Sequence, residues 1–270
     1  MNIAKVFPRK TSMTPQDNNC YFGEPDFFTP NYDEVHISTV FTWDIKRAKY
    51  LQAQWQTKSE IVVIGGPAMN DHGSEFIPGK YLRQGITITS RGCPNNCWFC
   101  SVPKREGKIR ELEIKEGNVV QDNNLLACSK QHIHKVFQML RGQKKVNFKG
   151  GFEAQRITDK IIEDLRSLDI EEIWLSYDYP VTEKLFLRAL NKLRKYFKLR
   201  QRRCYVLIGF EGDTISQAEE RCKHVLDLGA LPFAQRYRTN SEDWDETFFY
   251  KDREWSQLQR RWTRPRIMMS

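Results

Sequence analysis

Apolar runs of strand length alternate with amphipathic runs of helix length along most of this chain. Branched and aromatic residues bounded by Gly, Pro, Asn or Asp predict strands at 34–41 (EVHISTVF), 60–66 (EIVVIGG), 85–90 (GITITS), 118–121 (NVVQ), 145–150 (KVNFKG), 171–177 (EEIWLSY), 203–210 (RCYVLIGF) and 232–238 (PFAQRYR). Between them the apolar spacing turns helical. Lys130 to Arg141 carries Ile133, Val136, Phe137 and Leu140 on one face. Thr158 is placed to cap a helix bearing Ile161, Ile162, Leu165 and Leu168, and Thr182 one bearing Leu185, Phe186, Leu190 and Leu193. Ser216-Gln217-Ala218-Glu219 has the form of a capping box, followed by Cys222, Val225 and Leu226 at helical spacing and by Gly229 as a stop.

Strand followed by helix, repeated, requires parallel strands joined by right-handed crossovers. Six such strands run from Gly85 onward, so the expected fold class is α/β, as a partial (β/α)6 barrel or an open doubly wound sheet. Both place ligands at the carboxyl ends of the strands. The first part of the chain, 1–80, offers two strands and reads as a small incomplete α/β subdomain; 81–240 holds the strand-helix repeat; 241–270 is an aromatic and basic C-terminal extension. That extension contains WDETFFYKDREWSQLQRRWTRPR (244–266), which suits stacking on bases and contacting phosphates. It suits equally a tail that packs Phe248, Phe249, Trp255 and Trp262 and leaves its arginines in water.

Composition narrows the setting. A chain of 270 residues with 40% hydrophobic and 12% aromatic residues is long and apolar enough for a sizeable core and is not of disordered or fibrous type. The net charge of +9 is compatible with a polyanionic partner or an anionic substrate, nucleic acid included. The opening MNIAKVFPRK lacks the apolar core of a signal peptide and no run approaches the ~18 apolar residues of a membrane span, so a cytoplasmic protein without a membrane partner is expected. In a reducing compartment the seven cysteines are expected as thiols or metal ligands, and an odd number argues against a disulfide framework.

Three of those cysteines, Cys93, Cys97 and Cys100, fall in RGCPNNCWFCSVPKREG (91–107), in the loop that follows GITITS. A structural zinc site would want four ligands, whereas Cys20, Cys128, Cys204 and Cys222 are scattered singly. Packing as small hydrophobes is the blandest reading, and three thiols in eight residues around a Pro-Asn-Asn turn are dense for it. A [4Fe–4S] cluster held by three thiolates keeps one iron open for substrate or cofactor. Lys104, Arg105 and Arg110 follow directly, placed to offset an anionic cluster, to hold an anionic substrate, or to form a solvated loop.

With Phe99 as the aromatic residue before the last cysteine, this C-x3-C-x2-C segment after the first of six strands resembles the radical S-adenosylmethionine (radical SAM) enzymes. The resemblance covers about residues 85 to 240. It implies a partial (β/α)6 barrel of that type, a [4Fe–4S] cluster on Cys93, Cys97 and Cys100, and S-adenosylmethionine chelated at the open iron. One-electron reduction would then yield methionine and a 5'-deoxyadenosyl radical that takes a hydrogen atom from substrate. A reductase or a flavodoxin- or ferredoxin-type electron donor is implied as partner. By position, the resemblance assigns S-adenosylmethionine contacts to Phe99, to Asp122 and Asn123 in QDNN (121–124), to Gln155 and Arg156 in GGFEAQRI (150–157), and to Ile208 and Gly209 in YVLIGFEGD (205–213). The second strand departs from the family's Gly-Gly-Glu ending.

The N-terminal region, with IVVIGGPA (61–68), resembles a reduced relative of the cobalamin-binding domain of some members, although Asp33-Glu34-Val35-His36 does not fit the Asp-x-His-x-x-Gly motif. His36 therefore reads as a core or interface histidine. Further cysteine groups for auxiliary clusters, or an N-terminal trio for methylthiotransfer, are lacking. A general acid or hydrogen donor is not singled out among Tyr177, Asp178, Cys204 and Glu211. Two alternatives stay open: a zinc-stabilised nucleic-acid-binding protein, and a cluster-bearing adaptor that does not cleave S-adenosylmethionine.

Overall fold

A computed structural model describes residues 2–71, 75–177, 183–238 and 253–264, which form two compact units divided between Ile86 and Thr87. The expectations placed on Asp178, Thr182, Phe248 and Phe249 lie outside the described residues. No helix among the described residues is long and apolar enough to cross a membrane.

The first unit is built on β1 (Ile3–Phe7), β2 (Cys20–Phe22), β3 (Glu34–Ser38) and β4 (Ile61–Gly65), all parallel in the order β2-β1-β3-β4. Helix α1 (Ile45–Trp55) covers one face. Ala4, Val6, Val35 and Ile37 alternate inward along the strands and meet Ala48, Leu51 and Trp55 of the helix. The Trp55 indole N–H is satisfied by Gly23 O at 2.9 Å. The sheet thus has two strands more than the sequence pattern offered. In β1 the polar Lys5 interrupts a five-residue strand, and β2 is three residues long, so neither shows a readable alternation.

From the boundary strand β5 (Ile86–Thr87) into the second unit, a six-stranded sheet continues with β8 (Val119–Val120), β9 (Val146–Phe152), β10 (Ile170–Tyr177), β11 (Arg202–Ile208) and β12 (Leu231–Arg236), each strand beside its successor. The pairs from β8 to β12 are parallel. With β5 and β12 at its ends, the sheet as paired is open, and the chain is a mixed α/β fold with parallel sheets. A separate hairpin pairs β6 (Ser90–Arg91) with β7 (Arg110–Glu111), with the short helix α2 (Val102–Glu106) between them.

The connections are α3 (Lys130–Arg141), α4 (Asp159–Arg166), α5 (Glu183–Arg194) and α6 (Ile215–Asp227), and α7 (Arg253–Thr263) returns to β12. Side chains alternate along the strands. Phe148, Ile173, Leu175, Val206, Ile208 and Ala234 join the helices' Val136, Phe137, Leu140, Leu165, Leu190 and Val225 in one core. Glu172, Trp174, Arg203 and Tyr205 lie on the opposite face, where Glu172 accepts from Asn147 at 3.0 Å and from the Trp174 indole at 2.9 Å.

Two local expectations are corrected. The cap of α6 is Thr214, two residues earlier than Ser216: its hydroxyl accepts from Gln217 N at 3.3 Å while Gln217 Oε1 accepts from Thr214 N at 3.2 Å. Leu185 on α5 is 37% exposed rather than buried, because the turn toward the core is filled by Phe186, Ala189, Leu190 and Leu193.

Candidate functional site

The cysteine segment is fixed at its root by backbone geometry. Gly92 sits at φ +84°, and a Cβ there would stand 2.2 Å from Lys108 O, so only glycine lets the two sides of the loop pass. Cys93 N donates to Gly107 O at 3.1 Å, and Cys100 N donates to Cys97 O at 3.0 Å, closing a tight turn between the second and third cysteines. All three cysteines are half-buried, and the chain's seven cysteines form no disulfide. Beneath the loop, buried Glu106 faces Arg105 at 3.3 Å and Arg91 at 3.6 Å. Arg105 thus balances a carboxylate of its own helix instead of standing as a charge for an anionic ligand, whereas Lys104 and Arg110 are exposed.

The end of β8 holds this loop from below. Asp122 is 1% exposed, and its carboxylate accepts from Thr89 N at 2.7 Å, from Thr89 Oγ1 at 2.6 Å and from Ser90 Oγ at 2.6 Å. Burial pushes its carboxyl above the ordinary range against the pull of these hydrogen bonds. Both of its oxygens face inward onto these donors, and Asp122 thereby ties the strand leading into the cysteines. Asn123 Oδ1 accepts from Gly92 N at 2.9 Å and so supports the same loop. Asn124, 4% exposed, directs its amide Nδ2 at Cys93 Sγ, 3.5 Å away, and at Glu153 Oε2, 2.8 Å away.

Glu153, at the end of β9, is where these contacts meet. Besides Asn124 it accepts from Arg156 Nε at 2.6 Å and from Gln155, and Asn95 of the cysteine loop donates to it as well. Burial would raise its carboxyl, but the hydrogen bonds from Asn124, Arg156 and Asn95 outweigh it and hold Glu153 below the usual carboxylate range. Gln155 and Arg156, expected to reach a ligand directly, converge on this carboxylate; Gln155 is exposed and Arg156 half-buried, so both border the site.

On the far side, Ile208 is fully buried, and Gly209 turns the chain at φ +71° with its N–H donated to Asp213 Oδ2 at 2.8 Å. Trp98 of the cysteine loop, 66% exposed, meets Phe210 edge-on at 5.5 Å between centroids, Tyr237 at 5.6 Å and Phe99 at 5.4 Å. The structure thus gathers the segments after β5, β8, β9, β11 and β12. Asn95, Trp98, Asn124 and Glu153 were missed as individuals, although each stands in a segment already singled out; for Asn124 and Glu153 the signal available was a polar side chain soon after a strand.

Other candidates fall elsewhere. Tyr177 and Cys204 are buried in the core of the second unit, with Tyr177 packed on Phe186 at 4.8 Å. His36, in the first unit, uses both ring nitrogens, toward Tyr81 Oη at 2.5 Å and Glu34 Oε2 at 2.8 Å. Among the described residues no three His, Cys, Asp or Glu side chains converge closely enough to hold a single metal ion. The donor set nevertheless suits a thiophilic metal centre: three half-buried sulfurs in eight residues, one of them facing a buried amide donor. No family model and no curated protein matches the chain.

Proposed function

We propose that this protein is an iron–sulfur enzyme of the radical SAM type, with a partial (β/α)6 barrel, acting on a substrate that nucleotides and nucleic acid exemplify by charge. The observation that carries this reading is the cysteine trio on a loop after the first strand of a sequentially ordered sheet, with the polar ends of β8 and β9 turned onto that loop. In this reading Cys93, Cys97 and Cys100 hold a [4Fe–4S] cluster. Such a cluster, were it bound there with S-adenosylmethionine, would supply one-electron reductive chemistry for cleaving the cofactor. The chain's own part is to bind and orient. Asp122 and Asn123 hold the loop, and the Arg156 guanidinium and Gln155 amide border the site beside Glu153. Phe99 and Gly209 would border a flat ring bound beside the loop, and Trp98 packs on Phe210 and Tyr237 next to them. A reductase or a flavodoxin- or ferredoxin-type protein would deliver the electron.

The test is anaerobic iron–sulfide reconstitution, then dithionite reduction with S-adenosylmethionine and assay of 5'-deoxyadenosine. The wild type is expected to bind about four irons and form the product, and Cys97→Ala to do neither. Zinc instead of iron would favour the metal-stabilised binding protein. A cluster that never cleaves S-adenosylmethionine would favour the adaptor.

A further inference from the structure

The contact between Asn124 and Cys93 rests on an unusual distribution of donors. A side-chain amide offers two N–H groups and one carbonyl. Here both neighbours, the Cys93 sulfur at 3.5 Å and the Glu153 carboxylate at 2.8 Å, are acceptors, and Nδ2 serves both. The amide Oδ1 is buried without a hydrogen-bond partner. Turning the amide over would set that oxygen against a carboxylate and a sulfur, so the orientation follows from the chemistry of the neighbours. Glu153 is itself fixed by Arg156 at 2.6 Å, and it reaches the cysteine loop a second time through Asn95.

We propose that Asn124 is a positioning residue that donates an N–H···S hydrogen bond to Cys93 and thereby raises the reduction potential of the iron–sulfur centre, with Glu153 fixing which end of the amide meets the sulfur. This rests on the cluster assignment made above. A donor on a ligating sulfur stabilises the more negative, reduced form, and hydrogen bonds to the sulfurs are among the main settings of such potentials. The device is built from the ends of two strands and does not depend on the identity of the substrate.

The test is a redox titration, monitored by electron paramagnetic resonance, of reconstituted full-length wild type and Asn124→Leu. Leucine approximates the volume and removes the donor, leaving Glu153 with its other partners. The variant is expected to keep its iron content while reduction becomes about tenfold less favourable, a midpoint about 59 mV more negative. An unchanged midpoint at full iron content overturns the proposal. Should Asn124→Leu fail to fold or to load, hyperfine spectroscopy of the reduced wild type decides, using asparagine carrying heavy nitrogen in its side-chain amide. A coupling to that nitrogen is expected, and its absence overturns the proposal. If the wild type takes up no iron, this proposal and the enzyme reading fall together. If it loads iron without cleaving S-adenosylmethionine, the enzyme reading alone falls and the potential still decides the role of Asn124.

Discussion

Asp122 presents one buried carboxylate to three donors, Thr89 N and the hydroxyls of Thr89 and Ser90. Replacing it with leucine leaves those donors without their acceptor, at about 1–3 kcal/mol each for a group that finds no other partner. Asp122→Leu is therefore expected to lower stability by several kcal/mol in urea unfolding, and Asp122→Asn by much less, since hydroxyls can turn to accept as well as donate. The pH dependence has a definite sign. Burial raises the folded-state carboxyl above its ordinary 3.8, so between the two values the folded protein binds more protons than the unfolded. The stabilising contribution of the protonated form is fully present below the unfolded value and lost as pH rises through the folded one. Across an unfolding series from pH ~4 upward, wild type should lose stability relative to Asp122→Asn. A gap that widens in favour of wild type would show that the hydrogen bonds outweigh burial.

At the scale of elements, β9 is the strand that brings Glu153 to the site, and it does so through an irregularity. Ile173 pairs with Phe148 and Leu175 with Phe152, so four residues of β9 pass where β10 uses two, around Gly150 and Gly151. The extra length presses β9 onto the end of β8: a Cβ at Gly150 would lie 1.9 Å from Asp122 O and 2.9 Å from its carbonyl carbon. Both are backbone atoms with no side chain to yield. Gly150→Ala is expected to cost about 3 kcal/mol, near the top of the overpacking range, and to loosen the Asn124–Glu153 contact. Unfolding with guanidinium measures the first, and the Asn124 side-chain amide resonance the second. The sequence showed strand after strand in this unit because hydrophobic periodicity depends on residues within reach of one another, as in α3 from Lys130 to Arg141. It showed the cysteine trio because spacing alone carries that signal. It did not show that Asp122 turns inward while Asn124 turns to the sulfur. Both follow strand β8 directly, and their facing is decided by Thr89, Ser90, Cys93 and Glu153, which lie about 30 residues away in either direction. The early strands β1 and β2 escaped for the opposite reason, being too short to display a period.

Across the whole molecule, the second unit is completed by residues from the far end of the chain. Helix α7 lays Leu258, 4% exposed, and Trp262, 6% exposed, into the core, and Gln259 Nε2 donates to Ala234 O of the last strand at 3.4 Å. Its polar side carries Arg260 and Arg264, both exposed, with Arg261 paired to Glu219 of α6 at 2.8 Å. The interleaving of aromatics and arginines that resembles a nucleic-acid arm is, within this helix, the pattern of an amphipathic cover: the aromatics are one face and the arginines the other. The two meanings of that composition make different demands on stability. Trp262→Ala and Leu258→Ala each open a cavity in the core and are expected to cost about 2–5 kcal/mol. Arg260→Gln with Arg264→Gln removes exposed charge and should leave the unfolding midpoint within about 0.5 kcal/mol of wild type. If the arginine pair proves as costly as the tryptophan, the charged face packs against something within the molecule, and the net charge of +9 would owe less to an external polyanion than its size suggests. If stability ignores the pair, those two charges are available to solvent, and an RNA titration at low salt with the same variant becomes the direct test of whether a polyanion uses them.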